Sequence, residues 1–438
     1  MAGNSSLPVL KGKRKSNKEK EQKIPIDVVG AARPTNTESE RIKFFSNEEA
    51  NYEPQFVYKL PQPILLQALR RYSVQVESRY VPHALRVLRT LLLQYGSYER
   101  YEEQNGGEVL QESEARTIVS EYLARHGVDQ EISVIFDPHL VARASFTKKA
   151  ATLRIRPQGL RRNWIQGMLH HEIGTHYLRD RNDKMQPWSK ERNGRKKYRL
   201  GDKNPTEEGL ASLHTVLERE GHFLWRAALL YYTIWRALQL SFRELYEDLA
   251  QFLGGSTDER WDYCVRAKRG LLDTSQPGGF VKDQCYLTGA MEILEQRHRI
   301  DFNALYIGKL SVVDAHRAKC TGLARLESVQ LPVFLQNAEQ KARYHALLDE
   351  MVRDNDLTDL LDHKADPPQG TGTRPSRASS SPLQGSRSGS SVSSSRPSAR
   401  AWTELPPVPN SHSSSPCIRK FASSAYNAAC RSACVCCT

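Results

Sequence analysis

From Pro61 onward, apolar residues recur at three- and four-residue spacing. Ile64, Leu65, Ala68 and Leu69 form one set, and Leu85, Val87, Leu88, Leu91 and Leu92 a second, so the spacing predicts amphipathic helices. Glu108 to His126 keeps the same period and stops at Gly127. Two short runs break it. Ile132-Ser133-Val134-Ile135-Phe136 and Ala151-Thr152-Leu153-Arg154-Ile155-Arg156 predict strands around a turn. Asn163 to His170 then reads as a buried helix, a loop follows, and another helix opens near Asn204. Further helices are predicted over about 222–239, 241–253, 257–270, 283–297, 310–317 and 338–353. The pattern describes an α+β protein, mostly helical, with a small sheet.

The ends do not share this pattern. Residues 1–47 are polar and charge-rich, and residues 363–438 are rich in Ser, Pro, Arg and Gly. Neither stretch has the apolar content to offset the entropy of ordering. The expectation is a disordered basic arm over 1–47, one folded core over 48–362 and a disordered tail over 363–438. Charge divides the same way. The net charge is +13, but residues 1–47 carry 10 Lys/Arg against 5 Asp/Glu, and residues 363–438 carry 9 against 2. The core is therefore close to neutral. The cluster Lys11-Gly12-Lys13-Arg14-Lys15 is read as part of a solvated arm in preference to a nuclear-localisation signal.

No apolar run reaches the ~18 residues that suggest a membrane span. The richest stretch, Ala227 to Trp235, ends at Arg236. No signal-peptide pattern opens the chain. Cys264, Cys285 and Cys320 are scattered through the core without metal spacing, as in a reducing compartment, and a cytoplasmic protein with no membrane partner is expected. The terminal cysteines make no prenylation box, because Val435 stands where that box needs Cys.

Candidate chemistry begins at His171-Glu172-Ile173-Gly174-Thr175-His176. Two imidazoles and a carboxylate this close, on a helix, suggest two zinc ligands and a general base. The spacing is one residue longer than that of helical zinc peptidases. At ~100° per residue, positions five apart lie ~140° apart on a regular helix and point in different directions. A π-bulge would return them to one face, and Gly174 offers that distortion the least resistance. Catalytic zinc takes three protein ligands and leaves a position for water, so a third ligand is needed. Asn204-Pro205-Thr206-Glu207-Glu208-Gly209 reads as a helix start, with Asn204 as N-cap, Pro205 at the first position and Glu207 as a capping-box residue. That leaves Glu208 to face the metal, with Glu207 the alternative.

The stretch H-E-I-G-T-H-Y-L-R from His171, then E-E-G-L-A from Glu207, K-D-Q-C-Y-L-T-G from Lys282 and L-Y-I-G-K from Leu305 together resemble the microtubule-associated tyrosine carboxypeptidase family, over roughly residues 48 to 362. The predicted strand Ala151–Arg156 just before the ligand-bearing helix is the local layout of a zincin-like core, and the resemblance implies a zinc metallopeptidase that holds one Zn2+ and removes the C-terminal tyrosine of α-tubulin on microtubules of the cytoskeleton. By the same resemblance His171, His176 and Glu208 match the family's metal ligands, and Glu172 matches its catalytic glutamate.

Three further features bear on substrate. Residues 184–203 hold eight Lys/Arg, among them Arg195, Lys196, Lys197 and Arg199, against Glu191 and Asp202. Bracketed by His176 and Glu208, this segment is expected at the mouth of the site, where it would attract a polyanion such as an acidic tubulin tail. Charge alone does not separate that tail from nucleic acid. Trp188 and Tyr198 could stack on bases, but no nucleic-acid-binding fold is visible and no such partner is expected. Lys282, beside a predicted helix start, is a candidate for the substrate's terminal carboxylate. Tyr286 is a candidate oxyanion donor. Two other readings stay open: a zinc endopeptidase of broader specificity, and a non-catalytic binder of acidic surfaces such as microtubules or RNA.

Overall fold

In the computed structural model, the described residues are 31–46, 51–61, 64–65, 78–140, 143–202 and 204–360. Strand β1 (Ser133–Phe136), β2 (Ala144–Thr147) and β3 (Thr152–Ile155) form a sheet in the order β1-β3-β2. β3 runs parallel to β1, with Val134 opposite Leu153, and antiparallel to β2, with Phe146 opposite Leu153. Leu153 and Ile155 are fully buried, while Arg154 between them is exposed, the alternation of a half-buried sheet. β2, Ala-Ser-Phe-Thr, carries too short an alternation to show in the sequence.

The α-helices of seven or more residues among the described residues, in chain order, are α1 (Thr37–Ser46), α2 (Val81–Tyr95), α3 (Tyr98–Asn105), α4 (Glu112–Arg125), α5 (Arg162–Leu169), α6 (Leu178–Met185), α7 (Thr206–Thr215), α8 (Trp225–Ala237), α9 (Phe242–Asp248), α10 (Thr257–Lys268), α11 (Cys285–Gln296), α12 (Val312–Cys320) and α13 (Ala338–Asp354). The fold is therefore α+β and mostly helical, as the periodicity implies. The predicted helix from 222 begins instead at Trp225, because Asp354 takes the His222 N–H at 2.9 Å and Asn355 that of Leu224 at 2.9 Å. α3 was not expected. Its sequence is almost wholly polar, but Tyr101 is buried and Tyr98 stacks on Trp225 at 5.5 Å.

α1 corrects the expected boundary of the N-terminal arm. Residues 31–46 are not part of a disordered stretch. Phe44 is buried among Phe242, Tyr246 and Trp261, with ring centroids 5.0 to 5.5 Å away, and such aromatic burial outweighs a polar neighbourhood. The Lys11–Lys15 cluster, Ala68, Leu69 and the tail beyond residue 360 lie outside the described residues. No helix among the described residues is long and apolar enough to cross a membrane. Cys264, Cys285 and Cys320 are free thiols.

α8 is apolar nearly all round and buried, and it packs against α2 and α11. α11 also packs closely on α7. Their contact requires glycine on both sides. A Cβ on Gly209 would stand 2.2 Å from the Gly289 carbonyl carbon, and one on Gly289 would stand 2.1 Å from the Pro205 oxygen. This close approach sets α7 at a fixed depth in the core.

Candidate active site

β3 feeds α5, and α5 passes without a break into a π-helical segment, His170–Tyr177, that continues as α6. The insertion that the five-residue spacing demands is present. It brings the His171 and His176 rings to 4.9 Å between centroids. One ligand atom each from His171, His176 and Glu208 lies within 4.8 Å of the others, and all three residues are buried.

A π-turn leaves backbone groups out of the α-helical ladder, and side chains satisfy them here. The Thr175 hydroxyl donates to the His170 carbonyl at 2.7 Å, and the Tyr306 hydroxyl donates to the Gly174 carbonyl at 2.8 Å. Thr175 Oγ1 is also 2.6 Å from His214 Nδ1, and His214 Nε2 is 2.8 Å from the Tyr344 hydroxyl. Burial holds the His214 pKa well below the ordinary value, so this imidazole is neutral. The chain is satisfied throughout if Tyr344 donates to Nε2 and Nδ1–H donates to Thr175. Gly174 has a packing reason as well as a conformational one. A Cβ there would stand 2.6 Å from the Tyr122 hydroxyl, which bonds His170 Nδ1 at 2.9 Å.

Both candidate imidazole ligands are oriented from behind. His171 Nδ1 lies 3.0 Å from the Ala211 carbonyl and 2.9 Å from Thr215 Oγ1. His176 Nδ1 lies 2.8 Å from Glu207 Oε1. A ring whose Nδ1–H is so engaged offers the Nε2 lone pair to a metal. His176 Nε2 is buried without a hydrogen-bond partner and faces Glu208 Oε2 at 3.6 Å. An orphaned buried nitrogen facing a carboxylate, with a second imidazole alongside, fits a divalent cation of the zinc type.

Glu207 does not cap α7. The N-cap position is Pro205, and the Asn204 N–H bonds Asp202 at 3.2 Å. The Glu207 carboxylate instead takes His176, Arg179 and Lys309, whose Nζ is 3.0 Å away. Burial pushes its pKa up, but Arg179, Lys309 and His176 together hold it well below the ordinary value. Arg179, fully buried, is fixed further by the carbonyls of Leu305 at 3.0 Å and Leu310 at 2.7 Å. Sequence reasoning did not find these supporting residues. The signal was present, because Thr175 and Arg179 belong to H-E-I-G-T-H-Y-L-R and Tyr306 and Lys309 belong to L-Y-I-G-K. The segments of that resemblance converge on one centre.

A cleft of about 110 Å³ opens beside it. His171, Glu172 and Tyr286 are among its lining residues. Tyr98, Trp164 and Trp225 supply aromatic surface, and Glu102, Arg143, Arg219 and Arg266 supply charge. Lys282 is not among the lining residues; it precedes α11 in the short turn Val281–Gln284. Arg195, Lys196, Lys197 and Arg199 do not line the cleft either. Arg195 donates to the carbonyls of Lys309 at 2.9 Å and Gly201 at 2.7 Å, a structural use. Lys197 pairs with Glu191 at 2.5 Å, while Lys196, Lys197 and Arg199 are exposed. Trp188 is not available for stacking on bases, since it is 2% exposed and donates to Asp183.

The family model for microtubule-associated tyrosine carboxypeptidase matches residues 79–355, which span every site residue named above. The chain is 42% identical over 358 residues to microtubule-associated tyrosine carboxypeptidase 1 of Mus musculus, covering 81% of this chain and 74% of that protein. It is 41% identical over 356 residues to the Homo sapiens protein of the same name, covering 81% and 73%. It is 43% identical over 335 residues to the putative tyrosine carboxypeptidase MATCAP2 of Mus musculus, covering 76% of this chain and 62% of that protein.

Proposed function

Because the chain belongs to the microtubule-associated tyrosine carboxypeptidase family, we propose that it is a zinc metallocarboxypeptidase that removes the C-terminal tyrosine of α-tubulin on cytoplasmic microtubules. The observation that carries this reading is the convergence of His171, His176 and Glu208, ligand atoms within 4.8 Å of one another, with Glu172 on the wall of the adjoining cleft. A zincin-like core is the accompanying proposal, supported by the passage from β3 into the ligand-bearing helix.

His171, His176 and Glu208 would hold the zinc. When bound, it supplies Lewis acidity toward the scissile carbonyl and lowers the pKa of a coordinated water toward ~7. Glu172 neighbours His171 in the chain and lines the cleft, which supports it as the proposed acceptor of the water proton and donor to the leaving amine. Tyr286, on the same cleft, is the proposed donor to the developing oxyanion. The aromatic walls suit an aromatic terminal side chain. The exposed Lys196, Lys197 and Arg199 are proposed to meet the acidic tail before it enters the cleft.

The test is to incubate the protein with polymerised tubulin and follow the mass of the α-tubulin tail. Loss of one tyrosine, absent with Glu172→Gln, is expected. Cleavage of internal bonds would instead favour the endopeptidase. Microtubule binding without hydrolysis, unchanged by Glu172→Gln, would favour the non-catalytic binder.

A further inference from the structure

Tyrosine and phenylalanine differ by one hydroxyl, and apolar walls alone separate them poorly. Selection of tyrosine needs a polar group where the phenol ends. The cleft beside Glu172 is lined in large part by apolar side chains, among them Trp164, Met168, Val216, Trp225 and Leu230. One helix sets a carboxylate among them. α3 carries Tyr98, Tyr101 and Glu102 at spacings of three and four residues, which share a helix face, and all three line the cleft. Glu102 thus stands one turn from Tyr98, whose ring lies on that of Trp225 with planes 14° apart. The Tyr101 hydroxyl is spent on the Gly221 carbonyl at 2.5 Å.

The two oxygens of Glu102 are used unequally. Oε1 accepts from the Tyr98 hydroxyl at 2.6 Å and from Arg219 NH2 at 2.8 Å. Oε2 faces Arg143 NH1 at 4.0 Å, beyond hydrogen-bond distance. Arg219 is itself buried and lies against the Tyr101 ring, 5.3 Å from its centroid, so Oε1 is held by a fixed partner. The Glu102 side chain is 13% exposed. Burial pushes its pKa up, but Arg219, Arg143 and Tyr98 bring it down to about 2, and at neutral pH the group accepts hydrogen bonds and cannot donate them. A carboxylate pinned by one oxygen presents the other as a charged acceptor. It repels an incoming carboxylate, whereas a neutral O–H meets it in a short, charge-assisted bond.

We propose that Glu102 selects a terminal tyrosine by accepting a hydrogen bond from its phenol at Oε2, with Arg219 as the positioning residue that holds Oε1. The proposal rests on the carboxypeptidase reading and deepens it, since it assigns the preference for a hydroxyl to one carboxylate. Phenylalanine in the same place would cover Oε2 without offering a donor, and a buried acceptor left unmatched is costly.

The test uses three acidic peptides alike except for their last residue: tyrosine, phenylalanine or 4-aminophenylalanine, whose aromatic amine is a neutral donor at the same position. The full chain carrying Glu172→Gln, which binds without turnover, is titrated with each by calorimetry. It is expected to prefer tyrosine over phenylalanine by about tenfold to a hundredfold, the worth of a hydrogen bond to a charged group, and to bind the amine nearly as well as the phenol. Adding Glu102→Gln should lower the tyrosine-to-phenylalanine ratio by about tenfold, because a neutral acceptor makes the weaker bond. A merely structural disturbance would weaken all three peptides alike and keep the ratio. Should that variant fail to fold, the parent's response to the amine still decides. Phenylalanine bound as well as tyrosine, the amine bound no better than phenylalanine, or a ratio unchanged by Glu102→Gln overturns the proposal. The carboxypeptidase reading survives any of these if the wild type releases tyrosine from the first peptide. No binding and no release overturns both.

Discussion

Two carboxylates adjacent in the chain meet one imidazole on its two sides: Glu207 Oε1 lies 2.8 Å from His176 Nδ1, and Glu208 Oε2 lies 3.6 Å from His176 Nε2. Neighbours on a helix project ~100° apart, so α7 can send one carboxylate behind the ring and the other in front of it. Glu208→Ala should therefore lose metal to a mild chelator. Glu207→Ala should keep all three ligands but leave Arg179 and Lys309 buried without their shared counterion. Breaking a buried pair in this way costs roughly 3–5 kcal/mol, and loss of an orienting partner weakens metal binding about 10–100-fold. Metal content after dialysis and denaturant unfolding separate the two variants. A Glu207→Ala protein as stable as wild type would contradict the assignment.

Glu172→Gln should abolish hydrolysis with metal still bound. Removal of a proton-transfer group lowers the rate by roughly 10²–10⁴-fold, and the isosteric amide leaves His171 and its neighbours undisturbed. Metal analysis beside a peptide-cleavage assay checks it. Loss of metal, or near-normal activity, would remove Glu172 from the role of base.

Much of this centre is legible in the chain because the chemistry is local. The five-residue interval between His171 and His176 does not put both rings on one face of a regular helix, so the π-segment follows once both are read as facing one centre. The helical core is legible for the same reason, as apolar residues with a period near 3.6 must face one side. What was not legible depended on partners far away in sequence. Glu207 has the look of a cap in a local reading, and only Arg179 and Lys309, brought in by α6 and by the chain before α12, give it a different use. Phe44 reads as part of a polar arm until Trp261, more than two hundred positions on, covers it.

The π-segment makes its own prediction. Gly174→Ala would drive a methyl to 2.6 Å from the Tyr122 hydroxyl, and the neighbour must shift or the turn must change. Metal affinity should fall, since the turn sets the His171–His176 distance. Combining Gly174→Ala with Tyr122→Phe removes the clashing oxygen and should recover part of the loss, with a coupling of about 0.5–3 kcal/mol in the double-mutant cycle. Strictly additive effects would mean that the glycine is kept for backbone freedom and not for space.

Glu102 ties cleft integrity to pH. Burial pushes its pKa up, but Arg219, Arg143 and the Tyr98 hydroxyl outweigh this and bring it from 4.5 down to about 2. A depressed carboxylate contributes stability that is fully present above its unfolded pKa and is lost as pH falls toward the folded value. The contribution is roughly 3 kcal/mol for a shift of this size. Unfolding free energies of wild type and Glu102→Gln should thus differ most at neutral pH and converge between pH 4.5 and about 2. A gap constant across that range would show that the Arg219 pair does not hold the charge.

The basic segment between the ligands tests substrate capture apart from chemistry. Lys196, Lys197 and Arg199 are exposed and do not line the cleft, so they have no part in bond cleavage, and Arg195 is set aside because it supports the Lys309 and Gly201 carbonyls. Neutralising the three exposed residues should lower kcat/KM on microtubules far more than on a short neutral peptide ending in tyrosine. The effect should shrink as salt rises, because the Debye length falls from ~10 Å at ~0.1 M to ~3 Å at ~1 M. At high salt the variant and wild type should approach one another on microtubules, and on the short peptide they should be indistinguishable throughout. Steady-state rates for both substrates across a salt series give the answer. Equal losses on the two substrates, or a wild-type rate on microtubules indifferent to salt, would reduce the segment to a solvated surface and move substrate choice to the cleft itself.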